Sequence, residues 1–67
     1  MKIRLNGQER ILPNQRQTVG ELLTFLGVRP ERVAVEVNGE IVSPEHFNSF
    51  MVYDGDRVEI VSFVGGG

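Results

Sequence analysis

The sequence lacks three features on which many small functional proteins depend. It has no cysteine, only one histidine, His46, and no apolar run approaching the ~20 residues of a membrane-spanning helix. The absence of cysteine excludes disulfides, thiolate zinc sites and thiol nucleophiles, and is typical of a reducing compartment. Because no second histidine or cysteine is present to complete a metal site, we interpret His46 as a surface or rim residue. We therefore expect a soluble cytoplasmic protein with no metal and no cofactor of its own.

A strong excess of one charge is also missing. Seven lysine and arginine residues oppose nine aspartate and glutamate residues, giving a net charge of −2, and the basic residues are scattered. A nucleic-acid partner, which needs a concentrated basic surface, is therefore not expected. Residues 1–4 alternate apolar and basic side chains instead of forming the apolar block of a signal peptide. The length fits one small domain, predicted over residues 1–64 with a flexible tail over 65–67, and a monomer when free.

The feature that most directly indicates a function is the C-terminal run Val64-Gly65-Gly66-Gly67. Glycine has no Cβ, so Gly65 and Gly66 can thread a passage too narrow for other residues. The Gly67 carboxylate would then reach the active site of another protein. The alternative is a frayed chain end or a cloning remnant without function.

The first part of the chain has the pattern of a β-hairpin. Apolar and polar residues alternate over residues 1–5, and Asn6-Gly7 is a strong turn signal because both residues tolerate positive φ. A returning strand is predicted over residues 8–12. A two-residue turn puts Leu12 on the buried face, whereas a three-residue loop with a bulge puts Ile11 there. The sequence leaves this choice open.

A short amphipathic helix is predicted next. Thr18 and Glu21 have the Thr-x-x-Glu spacing of a capping box, and Gly27 fits the left-handed residue that ends a helix. Between them, four apolar residues have the spacing of one helical face: Val19, Leu22, Leu23 and Leu26. Because so short a helix is unstable alone in water, this stripe is predicted to pack as core against a sheet.

The rest of the chain predicts a second hairpin and a final strand. Alternating valines over residues 33–37 and the turn Asn38-Gly39 predict a hairpin that returns through residues 40–42. Ser43 and Pro44 are typical of the cap and first residue of a helical turn. The remaining predictions are a polar loop at 13–17, an irregular segment over the rim of the core at 47–52, a turn at 53–56 and a last strand at 57–62.

This order of elements predicts an α+β fold. If the helix crosses between the two hairpins on one face of a mixed sheet of four to five strands, the last strand lies in the middle, parallel to the first. The outward residues of that strand make the solvent face apolar beside the tail, so Val61, Phe63 and Val64 are candidate docking residues. The alternative is that Phe63 folds back over an edge of the sheet.

Four segments of the chain together form a family pattern. They are residues 3–7, residues 17–23, residues 37–42, and above all Asp54-Gly55-Asp56 with the apolar strand and the glycines that follow it. This combination resembles the ThiS family of sulfur carriers in thiazole biosynthesis, over essentially the whole chain. The resemblance implies the ubiquitin-like β-grasp fold, with one main helix packed across one face of the sheet.

The resemblance also implies a role and partners. In that family a ThiF-like adenylating enzyme uses ATP to activate the carboxylate that corresponds to Gly67. Sulfur derived from cysteine then replaces AMP and leaves a thiocarboxylate, and a ThiG-like thiazole synthase takes the sulfur. Because the catalytic groups lie in the partners, the chain is not expected to be an enzyme.

Other interpretations remain open from the residues. The chain is also compatible with a carrier like the small subunit of molybdopterin synthase, with a non-covalent β-grasp interaction module, and with conjugation to target lysines. Asp54 and Asp56 are interpreted as turn caps, because the other ligands of a calcium loop are absent.

Overall fold

One α-helix, α1 (Val19–Leu26), begins where the capping pattern predicts. The computed structural model describes residues 1–63, and the tail predicted from the sequence lies outside the described residues. At the start of the helix the Glu21 N–H donates to Thr18 Oγ1 over 3.1 Å, and the Thr18 N–H donates to Glu21 Oε1 over 2.8 Å. Both halves of the capping box are formed, so two amide groups that the helix leaves unpaired find acceptors.

The helix ends at the predicted glycine. Gly27 has a φ of 72°, in the left-handed region. The Val28 N–H donates to the Leu23 carbonyl over 2.9 Å, and the Gly27 N–H donates to the Thr24 carbonyl over 3.1 Å. These two bonds are those of a Schellman motif, which satisfies carbonyls at the end of the helix.

The apolar face of the helix is buried as predicted. Val19, Leu22 and Leu23 have no exposed surface, and Leu26 is partly buried against the core. Phe25, on the other side of the helix, is 52% exposed. Burial of an aliphatic side chain stabilises a fold by about 1.5–3 kcal/mol, so the stripe fixes the helix to the rest of the domain. No helix of residues 1–63 has the length and apolar character to cross a bilayer.

Seven strands occur among the described residues, and five of them form the main sheet. The spatial order of that sheet is β2-β1-β7-β4-β5, with β1 and β7 parallel and the other neighbours antiparallel. The predicted mixed sheet, with the last strand in its middle and parallel to the first, is confirmed. The strands are β1 (Lys2–Leu5), β2 (Gln8–Ile11), β3 (Arg16–Thr18), β4 (Val33–Val37), β5 (Glu40–Val42), β6 (Met51–Tyr53) and β7 (Arg57–Ser62).

The first hairpin has a two-residue turn, which determines whether Ile11 or Leu12 faces the core. Asn6 and Gly7 have φ values of 49° and 80°, as a tight hairpin turn requires. The register pairs Lys2 with Ile11, so Ile11 shares the solvent face and is 76% exposed. Leu12, one residue later, is buried in the core with 2% exposure.

Two short strands occur where the sequence predicted a polar loop at 13–17 and an irregular segment at 47–52. β3 and β6 pair antiparallel in a separate two-stranded sheet, with Gln17 opposite Val52. Val52 has no exposed surface and Phe47 only 4%, so both belong to the core rather than to its rim. The predictions were wrong because two strands of three residues are too short to show an alternating pattern.

The segment after β5 forms a 3-10 turn, at Pro44–His46. Pro44 is its first residue, as predicted. The expected cap by the Ser43 side chain is wrong, because that side chain makes no capping hydrogen bond. The Ser43 carbonyl closes the turn instead by accepting from the His46 N–H over 2.8 Å.

Replacing Leu23 by Ala tests how much the buried stripe stabilises the fold. A fully buried leucine leaves a cavity, so we expect the free energy of unfolding to fall by about 2–5 kcal/mol. The control is Phe25→Ala on the exposed side of the same helix, which should cost less than about 1 kcal/mol. Urea unfolding of both variants measures the difference. Equal destabilisation by the two substitutions would show that the helix is not held by this face.

Candidate functional site

The candidate site is the end of β7, from which the glycine tail continues in sequence. On one side β7 pairs along its length with β4, and the last pair of that ladder joins Val33 and Ser62. One residue further on, the Phe63 N–H donates to the Arg32 carbonyl over 2.8 Å. The strand is therefore held on this side as far as the last described residue.

On its other side β7 has a shorter backbone partner. β1 pairs with it only through Arg4 and Leu5, because β1 then enters the hairpin turn. Beyond that point the side chain of Asn6 replaces the missing strand. Its Oδ1 accepts from the Ile60 N–H over 2.8 Å, and its Nδ2 donates to the Ile60 carbonyl over 3.1 Å. The amide group thus extends the pairing of β7 on this side from Val58 to Ile60.

The second turn asparagine holds the start of the same strand. Asn38 has a φ of 52°. Its Oδ1 accepts from the Arg57 N–H over 2.9 Å, and its own N–H donates to the Arg57 carbonyl over 2.7 Å. The sequence marked Asn6 and Asn38 as turn residues but gave no signal for their bonds to β7, since the partners are remote in the chain.

Of the two aspartates predicted to cap the turn before β7, Asp56 closes the turn, whereas Asp54 joins the turn to β1. Asp56 Oδ2 accepts from the Tyr53 N–H over 2.9 Å, and Asp54 Oδ1 accepts from the Lys2 N–H over 2.7 Å. Across residues 1–63, no cluster of three or more potential ligand side chains is placed to hold a metal ion. Both carboxylates bind backbone amides, so they fix the position at which the last strand begins.

An exposed apolar patch lies beside the end of β7. Val61 and Phe63 are 60% and 58% exposed. Val61 pairs across the ladder with Ala34 and shares a shallow depression of about 100 Å³ with Ala34 and Ile41, which Glu36 and Glu59 also line. Phe63, one residue beyond the end of β7, borders a different depression beside Glu31 and Arg32. We call Ala34, Ile41 and Val61 the sheet patch.

The sheet patch includes residues that the sequence did not single out. Ala34 and Ile41 join Val61 only because β4 and β5 lie next to β7, which strand parity alone does not reveal. A docking role for Val61 and Phe63 stays a prediction. Val64, the third predicted docking residue, lies outside the described residues, as do the predicted threading residues Gly65 and Gly66 and the predicted attachment residue Gly67.

Comparisons with known proteins agree with this architecture. Residues 3–67 match the family model of the ThiS family. The sulfur carrier protein ThiS of Bacillus subtilis is 35% identical over 65 residues, which cover 97% of this chain and 98% of that protein. The crystal structure of the thiamine biosynthesis protein ThiS from Geobacter metallireducens superposes with a TM-score of 0.88, at 40% identity and with full coverage of both chains.

A longer relative is also similar. A thiazole synthase of Paramagnetospirillum magneticum is 48% identical over 67 residues. The match covers 100% of this chain but only 20% of that protein. The chain therefore corresponds to only a small part of the length of this relative, which is named for an enzymatic activity.

Substitution of Asn6 tests whether its side-chain bonds to Ile60 hold β7 in place. Asn6→Gly keeps positive φ accessible but removes both bonds to Ile60, so we expect the Ile60 amide to exchange about tenfold faster and stability to fall by about 1–2 kcal/mol. Asn6→Asp keeps an acceptor for the Ile60 N–H and loses only the donor, so its effect on exchange should be smaller. Hydrogen exchange followed by NMR measures both. An unchanged exchange rate of the Ile60 amide in Asn6→Gly would show that the Asn6 side chain does not hold the strand.

Proposed function

Because the chain belongs to the ThiS family, we propose that it is a sulfur carrier of thiamin biosynthesis, with the Gly67 α-carboxylate as the group that carries sulfur. The observation that carries the proposal is the position of β7. The central strand has partners on both sides, and in sequence three glycines follow it after Phe63 and Val64. A rigid body that ends in residues without side chains can present its terminal carboxylate inside the active site of another protein.

The chemistry requires activation of the carboxylate. An α-carboxyl group is ionised at neutral pH and is a poor acyl donor. In the proposed first step, an oxygen of the Gly67 carboxylate attacks the α-phosphorus of ATP, a P–O bond forms, and pyrophosphate leaves. The product is an acyl-adenylate, in which AMP is a good leaving group.

The second step exchanges oxygen for sulfur. A donor derived from cysteine, at the oxidation level of hydrosulfide, attacks the acyl carbon, so that a C–S bond forms as the C–O bond to AMP breaks. One proton and AMP are released, and a thiocarboxylate remains on Gly67. No oxidant is needed at this step. The thiocarboxylate then gives its sulfur to the thiazole ring.

The proposed cycle places the catalytic groups in two partner enzymes, a ThiF-like adenylating enzyme and a ThiG-like thiazole synthase. A region like this chain lies within a protein named thiazole synthase, which supports the second partner. The sheet patch and Phe63 lie beside the exit of the tail and offer an apolar surface to such partners. The proposed compartment is the cytoplasm, in keeping with a chain without cysteine.

Loading of sulfur can be read directly by mass. Incubation with ATP, magnesium, the adenylating enzyme and a sulfur donor should raise the intact mass by about 16 Da, the difference between sulfur and oxygen. Gly66→Ala should slow this gain at least about tenfold while leaving thermal stability unchanged, because the added methyl group obstructs threading and the buried core is built from residues between Ile3 and Val58. Deletion of Gly66 and Gly67 is the negative control. No mass gain in the wild-type chain with an active partner would refute the carrier function.

The sheet patch can be tested by placing a charge in it. Val61→Asp should weaken binding to the adenylating enzyme about tenfold or more, because the new carboxylate lies beside Glu36 and Glu59 and has no cationic partner in the depression. Ile11→Asp is the matched control, since Ile11 is also an exposed aliphatic residue but lies on the outermost strand β2. Calorimetric titration gives both affinities. Equal effects of the two aspartates would mean that the patch is not the docking surface.

A further inference from the structure

The two sides of β7 do not end at the same residue. Toward β4 the strand is paired through Ser62, and Phe63 continues the ladder by donating to Arg32. Toward β1 the pairing stops at Ile60, where the Asn6 amide is the last partner. The chain therefore reaches its tail with one side covered and the other side uncovered for the last described residues.

The direction of the backbone groups follows from strand alternation. The Phe63 N–H points to β4 and the Ile60 N–H points to Asn6 on the other side. Successive residues of a strand alternate, so Ser62 directs its N–H and C=O to the same side as Ile60. Within residues 1–63 no hydrogen bond to these two groups occurs on that side. Ser62 thus presents an open strand edge.

A notch lies against this edge on the helix side of the sheet. It has a volume of about 260 Å³. Its lining is mixed, with apolar surface from Leu26, Val28 and Ile60 and polar groups from Asn6, Arg10 and Ser62. An extended chain paired with Ser62 has the side chains of alternate residues directed to this side of the sheet. One side chain of such a segment can therefore occupy the notch.

We infer that an extended segment of thiazole synthase adds as a strand to the open edge of β7 at Ser62, with one of its side chains in the notch. The segment accepts from the Ser62 N–H and donates to the Ser62 carbonyl. This is recognition by strand addition, in which backbone bonds supply affinity and a pocket supplies specificity. The inference rests on the proposed function, since it names how one partner holds the chain while the tail is in its active site.

Thiazole synthase is the occupant that the observations favour. Among the relatives of the chain, a protein named thiazole synthase contains a similar region within its own polypeptide. The carrier-like region and the rest of that protein therefore belong to one chain, which favours the synthase over other partners as the occupant.

Ser62→Pro is the decisive variant. Proline removes the N–H that faces the partner, whereas the bond from Phe63 to Arg32 involves a different residue and is retained. The control is Ser62→Thr, which keeps the N–H and favours a strand. We expect both variants to gain sulfur from the adenylating enzyme at rates within about twofold of each other, and Ser62→Pro to transfer sulfur to thiazole synthase about tenfold more slowly.

Two results would overturn the inference. One is equal transfer to the synthase by Ser62→Pro and Ser62→Thr. The other is an equal slowing of sulfur loading and sulfur transfer by Ser62→Pro, which would assign the edge to no particular partner. The mass gain of the wild-type chain in the same assay tests the proposed function separately. If the wild-type chain gains no mass, the carrier function is refuted, whatever the two variants do.

Hydrogen exchange in the wild-type chain provides a second measurement that does not depend on the folding of the proline variant. The Ser62 amide should exchange quickly in the free chain and become at least about tenfold slower in the complex with thiazole synthase. The Phe63 amide, already bonded to Arg32, is the internal reference. An unprotected Ser62 amide in a complex that transfers sulfur would exclude strand addition.

Discussion

The pairing of β7 on both of its sides is the interaction on which the rest of the structure depends. The strand joins the first hairpin to the second, and without it β1 and β4 have no contact within the sheet. The sheet that results gives the helix a surface on which Val19, Leu22 and Leu23 are buried completely. In so small a domain, without cysteine to form a disulfide, one core has to supply the stability. A central strand in a closed ladder is the part of such a core that opens least.

The two Asn-Gly turns contribute more than a change of chain direction. Asparagine tolerates positive φ and also carries a donor and an acceptor. Asn6 and Asn38 use both properties, since each closes a hairpin and each side chain accepts from an N–H group of β7. Glycine at these positions would form the turns but leave the N–H groups of Arg57 and Ile60, and the Ile60 carbonyl, without those side-chain partners. The ends of the strand are therefore fixed by the same residues that define the hairpins.

The folded part of the chain and the part proposed to carry the chemistry are different segments. β7 is held in the sheet as far as Phe63, and the sequence continues to residues 65–67, which have no side chains to obstruct entry into an enzyme. Beside the exit lie two surfaces of different kinds, the apolar sheet patch on the outer face and the open edge at Ser62. Apolar contact and backbone pairing make different demands on a partner. A carrier that must engage two enzymes in turn, as proposed here, can use a different surface for each.

The sequence alone determined the features whose signals are local. The limits of the helix, both hairpin turns, the position of the last strand and the glycine run follow from capping patterns, positive φ, alternation and the absence of a Cβ. The central position of β7 also followed, because few connections are possible for this order of elements. Only the tertiary structure decided between Ile11 and Leu12, paired β3 with β6, joined Ile41 to Val61 and left Ser62 uncovered. Each of these features depends on which distant segment packs beside the residue. The local sequence of a short segment does not indicate which segment that is.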